Sequence, residues 1–279
     1  MKQLNIILLL MFSTTAVFSQ TKNSPSNDSS KNIQLEEVVI SASNFKEKKR
    51  NIAQTIDVIS AKKIALSQTQ NTGDLLIQSG KVFVQKSQQG GSSPVIRGFE
   101  ASRILLVVDG VRMNNAIYRS GHLQNIITVD QNSLSSVEVM NGAASTIYGS
   151  DALGGTIQLL TKNPTLSTTK NVLFKGMAFT RFSSANNEKT FHADINVGGK
   201  KIAFLQSFNY SDFDDMKMGD RYLSAFPNFG RRSLYISQIN GLDTILKNSD
   251  DRKQVASGYQ QWDWLEKILF KQNDHLTHI

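Results

Sequence analysis

The sequence predicts an α+β domain with a small mixed sheet, followed by long antiparallel β-strands. Between about residues 50 and 163, short apolar segments alternate with capped helical turns and glycine-rich turns, a pattern typical of a compact α+β unit. After Pro164, four segments of roughly ten residues alternate apolar and polar side chains. The chain also begins with an export signal. Together these features favour strands of a transmembrane β-barrel for the second half of the chain.

Residues 1–19 are predicted to be a secretory signal peptide. Lys2 supplies the positive start, and Leu4–Phe12 is an apolar run too short for a spanning helix. No other run approaches the length of a transmembrane helix, so an exported chain of this kind would enter a membrane as a β-barrel. Residues 20–34 are polar and rich in Ser and Asn, which predicts a disordered linker.

Composition excludes several classes of protein. The chain has no cysteine, which excludes a disulfide framework, a thiolate metal site and a lipid-modified N-terminal cysteine. The net charge is +8, but Lys46–Arg50 is the only dense basic cluster. A solvated charged face is the simpler interpretation of that cluster, and we predict no nucleic-acid partner.

The segment Leu35–Ser43, LEEVVISAS, allows two interpretations. It is either the first strand of the following domain or a portable strand that adds its backbone edge to a partner's sheet. Its position between the polar linker and the charged segment Asn44–Arg50 favours the portable strand.

The α+β domain is predicted from local patterns. Ser60 is predicted to cap a helix through Leu66, Thr72 a helix over Asp74–Gln78 that ends at Gly80, and Asp130 a helical turn over Asn132–Ser136. Gln85–Ser93 is predicted to be a polar loop. The predicted strands are Thr55–Ile59, Val82–Val84, Pro94–Phe99, Arg103–Val108 and the two ends of Val137–Lys162.

The second half contains four predicted strands and one long connection, Asp212–Gly258. The strands are Val172–Phe182, Thr190–Val197, Ile202–Tyr210 and Tyr259–Lys271. Four aromatic residues fit an interfacial girdle, namely Tyr210, Tyr259, Trp262 and Trp264. A soluble antiparallel sandwich alternates in the same way. The export signal and the strand lengths favour the membrane.

The order of four motifs resembles the TonB-dependent outer-membrane receptors. These motifs are LEEVVISAS, PVIRGF, ILLVVDGVRMNN and VEVMNGAASTIYGSDALGGTIQLLTK, which extend from Leu35 to Lys162. The resemblance implies that residues 35–43 contain the TonB box, that residues 50–163 form the plug domain, and that residues 170–279 are the N-terminal part of the barrel. The implied TonB-binding residues are Leu35, Glu36, Glu37, Val38, Val39, Ile40, Ser41 and Ala42.

The resemblance also implies two sets of site residues. Recurrent plug positions match Arg97, Gly98, Asp109, Gly110, Glu138, Tyr148, Gly149, Gly154 and Gly155. The loop RMNNAIYRSGHLQNI is also similar to plugs of haem and haemoprotein receptors, which makes ligand candidates of Asn115, Tyr118, Arg119 and His122. Without the family, the same loop residues would be assigned to loop hydrogen bonds or to solvent.

The family's activity is then the expected one. Such a receptor binds a scarce nutrient, and an iron–siderophore complex or haem is the first expectation, with cobalamin, oligosaccharide and peptide as others. It imports that ligand from the Gram-negative outer membrane with energy transmitted by TonB, surrounded by outer-membrane lipid. The family's barrel has about twenty-two strands, so the resemblance implies an incomplete transmembrane β-barrel in a truncated chain and leaves transport by this chain alone open.

An enzyme is not expected. The segment GSDALGGT has the glycine spacing of a phosphate loop, but Gly155 stands where that loop needs its lysine. Nucleophile-elbow and zinc-protease motifs do not occur. We therefore predict no catalytic residue, no cofactor and no metal site. The alternatives are a surface binding protein or adhesin that does not transport, and a secreted enzyme on a β-sandwich.

Overall fold

The computed structural model describes residues 38–39, 47–48, 51–52, 54–100, 103–113, 126–142, 148–221, 224–273 and 277–279. The predicted signal peptide, the polar linker and most of the predicted TonB box lie outside the described residues. So do the four ligand candidates of the loop that follows Met113. Within the part of the chain that the structure describes, no helix is long and apolar enough to cross a membrane.

The predicted α+β domain and the two short strands that precede it, called the plug below, contain two helices and nine described strands. The helices are α1 (Ala61–Ser67) and α2 (Thr72–Ser79). Short 3₁₀ turns occupy Ile126–Thr128, Gln131–Ser133 and Ser150–Ala152. The strands are β1 (Val38–Val39), β2 (Glu47–Lys48), β3 (Thr55–Ser60), β4 (Phe83–Gln88), β5 (Gly91–Val95), β6 (Ile104–Val108), β7 (Val111–Arg112), β8 (Leu134–Asn141) and β9 (Gly155–Thr161).

The centre of the plug is a mixed five-stranded sheet in the order β3-β8-β9-β6-β7. Strands β6 and β9 are parallel, and the other described pairs of this sheet are antiparallel. The apolar side chains of the central strands pack with those of the helices, among them Leu75, Ile104, Val137 and Ile157. A smaller apolar cluster contains Met140 and Val107. The α+β domain with a mixed sheet is thereby confirmed.

The observed helix caps agree in part with the caps predicted from the sequence. Ser60 caps α1 as predicted, since its hydroxyl accepts the amide of Lys63. The cap of α2 is Asn71 rather than Thr72, because the Asn71 side chain accepts the amide of Asp74 at 3.0 Å. Thr72 is instead the first helical residue, and its hydroxyl donates to the carbonyl of Val129. Gly80 ends the helix in the left-handed region, at φ +69°.

Two further predictions within the plug were wrong. Most of the predicted loop Gln85–Ser93 belongs to the β4–β5 hairpin, with its tip at Gln89-Gly90. Ladder hydrogen bonds join backbone groups, so a polar strand pairs as readily as an apolar one. The predicted helical turn after Asp130 ends at Ser133, because β8 begins at Leu134.

The second half of the chain forms an antiparallel sheet, called the wall below, in the order β10-β11-β12-β15-β16. The predicted strands are observed within a few residues of their predicted ends. A further hairpin, β13 (Leu234–Ile239) and β14 (Leu242–Lys247), lies inside the predicted loop, where the prediction had no strand. The wall strands are β10 (Leu173–Ser183), β11 (Glu188–Gly198), β12 (Ile202–Phe213), β15 (Tyr259–Lys271) and β16 (Thr277–His278).

The polarity of the two faces of the wall is the reverse of that in a soluble sheet. In β11 the buried face carries Thr190, His192 and Asn196, whereas Phe191 and Ile195 are exposed. The other exposed apolar residues of the wall include Val197, Ile202, Tyr210, Trp262, Trp264, Ile268 and Phe270. A polar interior and an apolar exterior are the arrangement of an outer-membrane barrel rather than of a sandwich.

Candidate functional site: the interface between plug and wall

The plug lies against the polar face of the wall, and charged side chains join the two at three places. The first place is the turn between β6 and β7, where Asp109 and Gly110 both have positive φ, at +48° and +86°. The Asp109 carboxylate accepts the amide and the hydroxyl of Thr161, at 2.8 and 2.6 Å. It also pairs with Lys267 Nζ of the wall at 2.9 Å. One predicted plug position thus ties the ends of β6 and β9 to β15.

The second place is the segment just before β8, at the 3₁₀ turn Gln131–Ser133. Asp130 is buried, and its Oδ2 lies 3.6 Å from Nδ1 of His192, a fully buried wall residue. Nε2 of the same ring lies 3.5 Å from Asp194 Oδ2, which pairs with Lys162 Nζ at 2.6 Å. Burial raises the pKa of Asp130 from 3.8 to about 7, and the amide of Asn132 opposes that rise.

The third place joins the loop before α2 to strands β10 and β11. Arg181 Nη1 donates to the carbonyl of Thr69 at 2.7 Å, and its Nε donates to Glu188 at 2.7 Å. Glu188 is fully buried and also accepts Gln70 Nε2 at 2.7 Å. Gln261 of β15 adds a bond to the carbonyl of Ile127 at 2.8 Å. The wall therefore holds the plug through charge-assisted hydrogen bonds, the stronger kind.

The glycines of the predicted plug motifs serve packing and turns. A Cβ on Gly154 would lie 2.3 Å from Cβ of Phe99, and a Cβ on Gly155 would lie 2.6 Å from the carbonyl oxygen of Met140. Arg97 and Gly98 form the turn between the bridged residues Ile96 and Phe99, with φ of +52° and +82°. These positions shape the backbone and are not arranged around a reacting group.

Three further motif residues lie together beneath the sheet. Tyr148 is buried, and its hydroxyl donates to Gln158 Oε1 at 3.0 Å. Burial raises the pKa of Tyr148, and the charge of the buried Glu138 adds to that rise. Gly149, at φ +84°, begins the 3₁₀ turn that follows. The recurrent plug positions described here thus lie in turns, close packing contacts and buried hydrogen bonds.

Two residues of the predicted TonB box are described. Val38 and Val39 form β1, which pairs antiparallel with Glu47 and Lys48 of β2. The Val39 side chain is fully buried in the smaller apolar cluster, together with Ile56. The prediction of a strand is correct for these two residues.

An open cleft of about 670 Å³ lies at the end of the wall where β15 begins. Its lining includes Lys189, Asp212 and Asp214, beside the stacked rings of Phe213 and Tyr259. Tyr259 faces inward, packs against the apolar core and lies over Gly90 at the hairpin tip, so its assignment to an outer aromatic girdle was wrong. No cluster of three or more residues that could hold a metal ion occurs among the described residues.

Sequence reasoning did not predict the pairing of Asp130 with His192 or the role of Lys162. The available signal was the strand FHADINV, in which polar side chains occupy every position of the inward face. That pattern shows which wall residues face inward. It does not show which plug residue each of them meets.

The chain is similar in sequence to known proteins. Residues 48–156 match the TonB-dependent receptor plug domain. The chain is 33% identical over 170 residues to the vitamin B12 transporter BtuB of Vibrio vulnificus, a match that covers 60% of this chain and 27% of the relative. The chain therefore spans about a quarter of that relative's length.

Two solved structures share the fold. The FrpB iron transporter from Neisseria meningitidis superposes with a TM-score of 0.57 at 19% identity, covering 78% of this chain and 29% of FrpB. The pyoverdine outer membrane receptor FpvA from Pseudomonas aeruginosa superposes with a TM-score of 0.51 at 22% identity. The match covers 63% of this chain and 24% of FpvA.

The fold and the interface define a plug domain followed by antiparallel strands of a receptor barrel. The plug match and the BtuB relative show that residues 48–156 are similar to the plug domain of the TonB-dependent receptors.

Proposed function

We propose that this chain belongs to an outer-membrane receptor that binds a scarce nutrient outside the cell and imports it with energy transmitted by TonB. The observation that supports this most is the interface between plug and wall. The contacts described above are ion pairs and hydrogen bonds, such as Asp109 with Lys267 and Lys162 with Asp194, together with the apolar packing of Tyr259. When the plug moves, the groups in such contacts can form hydrogen bonds to water instead, which offsets part of the cost of displacing the plug.

The TonB partner is proposed to bind residues 35–42 by adding a strand. Because the Val39 side chain is buried in an apolar cluster, we propose that pairing with TonB draws Val39 out of that cluster. A pull on β1 is then transmitted to β3, an edge strand of the central sheet.

The ligand is proposed to be a metal chelate or corrinoid that is too large for passive pores. The relatives named above are transporters or receptors for vitamin B12, iron and pyoverdine. An iron–siderophore complex or haem is our first choice, and cobalamin is the second. Asn115, Tyr118, Arg119 and His122 are kept as proposed ligand contacts.

A proline substitution tests the proposal. Val38→Pro removes a backbone donor from the strand that TonB would pair with. We expect binding of the ligand to whole cells to stay unchanged and uptake to fall by at least tenfold, measured with radiolabelled ferric siderophore, haem and cobalamin in turn.

The matched control is Val111→Pro in the short exposed strand β7, which should leave uptake largely intact. Uptake that survives Val38→Pro contradicts the assigned box. Binding without uptake in the unchanged protein would instead support the alternative, a surface binding protein or adhesin that does not transport.

A further inference from the structure

The contact between Asp130, His192 and Asp194 crosses the interface between plug and wall and has an unusual proton requirement. His192 is fully buried between the two carboxyl groups, one from the plug and one from its own strand. Among the described residues, Asp130 Oδ2 and both ring nitrogens have no hydrogen-bond partner within normal distance. Buried polar groups without partners are costly, so the few groups that face them decide how they are satisfied.

A neutral imidazole has one N–H donor and one acceptor nitrogen. Two ionised carboxylates on opposite sides of the ring therefore cannot both be satisfied, because one of them faces the lone pair of the ring. Asp194 has a second partner, Lys162 Nζ at 2.6 Å, which stabilises its negative charge. Among the described residues, no lysine or arginine forms an ion pair with Asp130. Both carboxyl groups can be satisfied only if one more proton is bound, and that proton is shared by Asp130 and His192.

We infer that Asp130 and His192 form a site that binds one proton and fastens the plug to the wall. The contact between the two residues is stable when the proton is bound and is weakened when the proton leaves. With the proton present, Asp130 can donate to Nδ1 while the ring donates from Nε2 to Asp194. Without it, a buried carboxylate faces an imidazole that cannot satisfy both neighbours.

The surroundings of the site support this direction. From the plug, Asn132 donates twice to Asp130 Oδ1, at 3.1 and 2.9 Å, which leaves Oδ2 to face the ring. From the wall, Asp263 adds a negative charge that disfavours ionised Asp130. From the end of the plug, the positive charge of Lys162 favours the ionised form. Asn209 and the ring of Phe179, 5.3 Å from that of His192, complete the groups around the imidazole.

The sign of the pH dependence follows from the raised pKa of Asp130. The folded protein binds this proton up to a pKa of about 7, whereas the unfolded chain binds it only up to the ordinary aspartate pKa of 3.8. The stabilising effect is therefore complete below about pH 4 and is lost as the pH rises through about 7. A single linked proton changes the opening equilibrium by at most tenfold per pH unit.

The test uses the full chain in outer-membrane lipid and two readouts. An infrared titration between pH 5 and 9 should show the carbonyl band of a protonated carboxylic acid that disappears with an apparent pKa near 7. Hydrogen exchange of the amides around the 3₁₀ turn Gln131–Ser133, corrected for intrinsic rates, should lose protection above that pH.

Asp130→Asn is the central variant, because an amide keeps the cap and donates permanently to the ring. It should abolish the infrared band and keep protection high at pH 8. His192→Gln is a second variant that should also remove the pH dependence, and Asp243→Asn on the exposed strand β14 is the matched control.

The proposal is overturned if the band persists in Asp130→Asn, or if protection of the turn shows the same pH dependence in that variant as in the unchanged protein. It is also overturned if the unchanged protein shows the band but no pH-dependent protection, since the proton would then not govern the contact. None of these outcomes depends on the identity of the transported ligand.

Discussion

At the scale of single residues, two glycines of the plug let segments of the chain touch. Gly154 lies against Phe99, so that no side chain atom fits between them. Gly155 likewise has room only for hydrogen beside the carbonyl of Met140, and its φ of +157° adds to the constraint. These glycines join the end of the PVIRGF motif to β9, the strand that leads into the wall.

Gly154→Ala tests this close approach. The new methyl group would lie 2.3 Å from Cβ of Phe99, so one of the two segments must shift. We expect the free energy of unfolding to fall by about 1–3 kcal/mol, the usual cost of overpacking, measured by urea titration in detergent.

Gly219→Ala is the matched control, because a Cβ there meets no atom within 4 Å. Equal stability of the two alanine variants would contradict the close packing of Gly154 against Phe99.

At the scale of elements, the wall strands carry the strongest evidence about their surroundings. On β11 the buried side chains are polar, and on the opposite face Phe191, Ile195 and Val197 are exposed. A sheet in water would expose the other face, because apolar surface is buried at the expense of polar surface. The strand is therefore built for lipid outside and a polar plug inside.

Ile195→Lys tests the lipid-facing side of β11. A lysine near the middle of a lipid-exposed strand costs about 2–4 kcal/mol. We expect assembly into outer-membrane vesicles to fall strongly, measured as the fraction of protein resistant to urea extraction.

Ile236→Lys on hairpin β13–β14, where the side chain is 68% exposed, should be neutral and is the control. If Ile195→Lys were equally neutral, the wall would behave as a soluble sheet.

At the scale of the whole molecule, function is proposed to depend on movement between plug and wall. The chain has no cysteine, so thiols introduced in pairs can be cross-linked without background. Asn132 of the plug donates to Asn209 of the wall at 3.4 Å, which marks a place where the two surfaces meet.

Asn132→Cys combined with Asn209→Cys tests that movement. After treatment with a short bifunctional thiol reagent that is reversed by reductant, we expect ligand binding to persist and uptake to fall at least tenfold. Reductant should restore uptake to that of the double variant before cross-linking, which is the reference because Asn132 also donates to Asp130. Full uptake in the cross-linked protein would show that the plug transports without leaving this part of the wall.

Much of the fold could be predicted because its signals are local. The inward and outward faces of β11, the Ser60 cap and the turn at Asp109-Gly110 each follow from residues that are near neighbours in sequence. The predictions that were wrong needed information from outside their own segment. Thr72 and Asn71 are both good caps, and only the packing of Thr72 against Val129 decides between them.

The sequence by itself determined the class of the protein, since four motifs in order and alternating strands are properties of the chain read along its length. Only the tertiary structure decided which partners meet across the interface. Asp130 and His192 are 62 residues apart, and Asp109 and Lys267 are 158 apart. Their pairing depends on how the plug is seated against the wall, and no local pattern encodes that position.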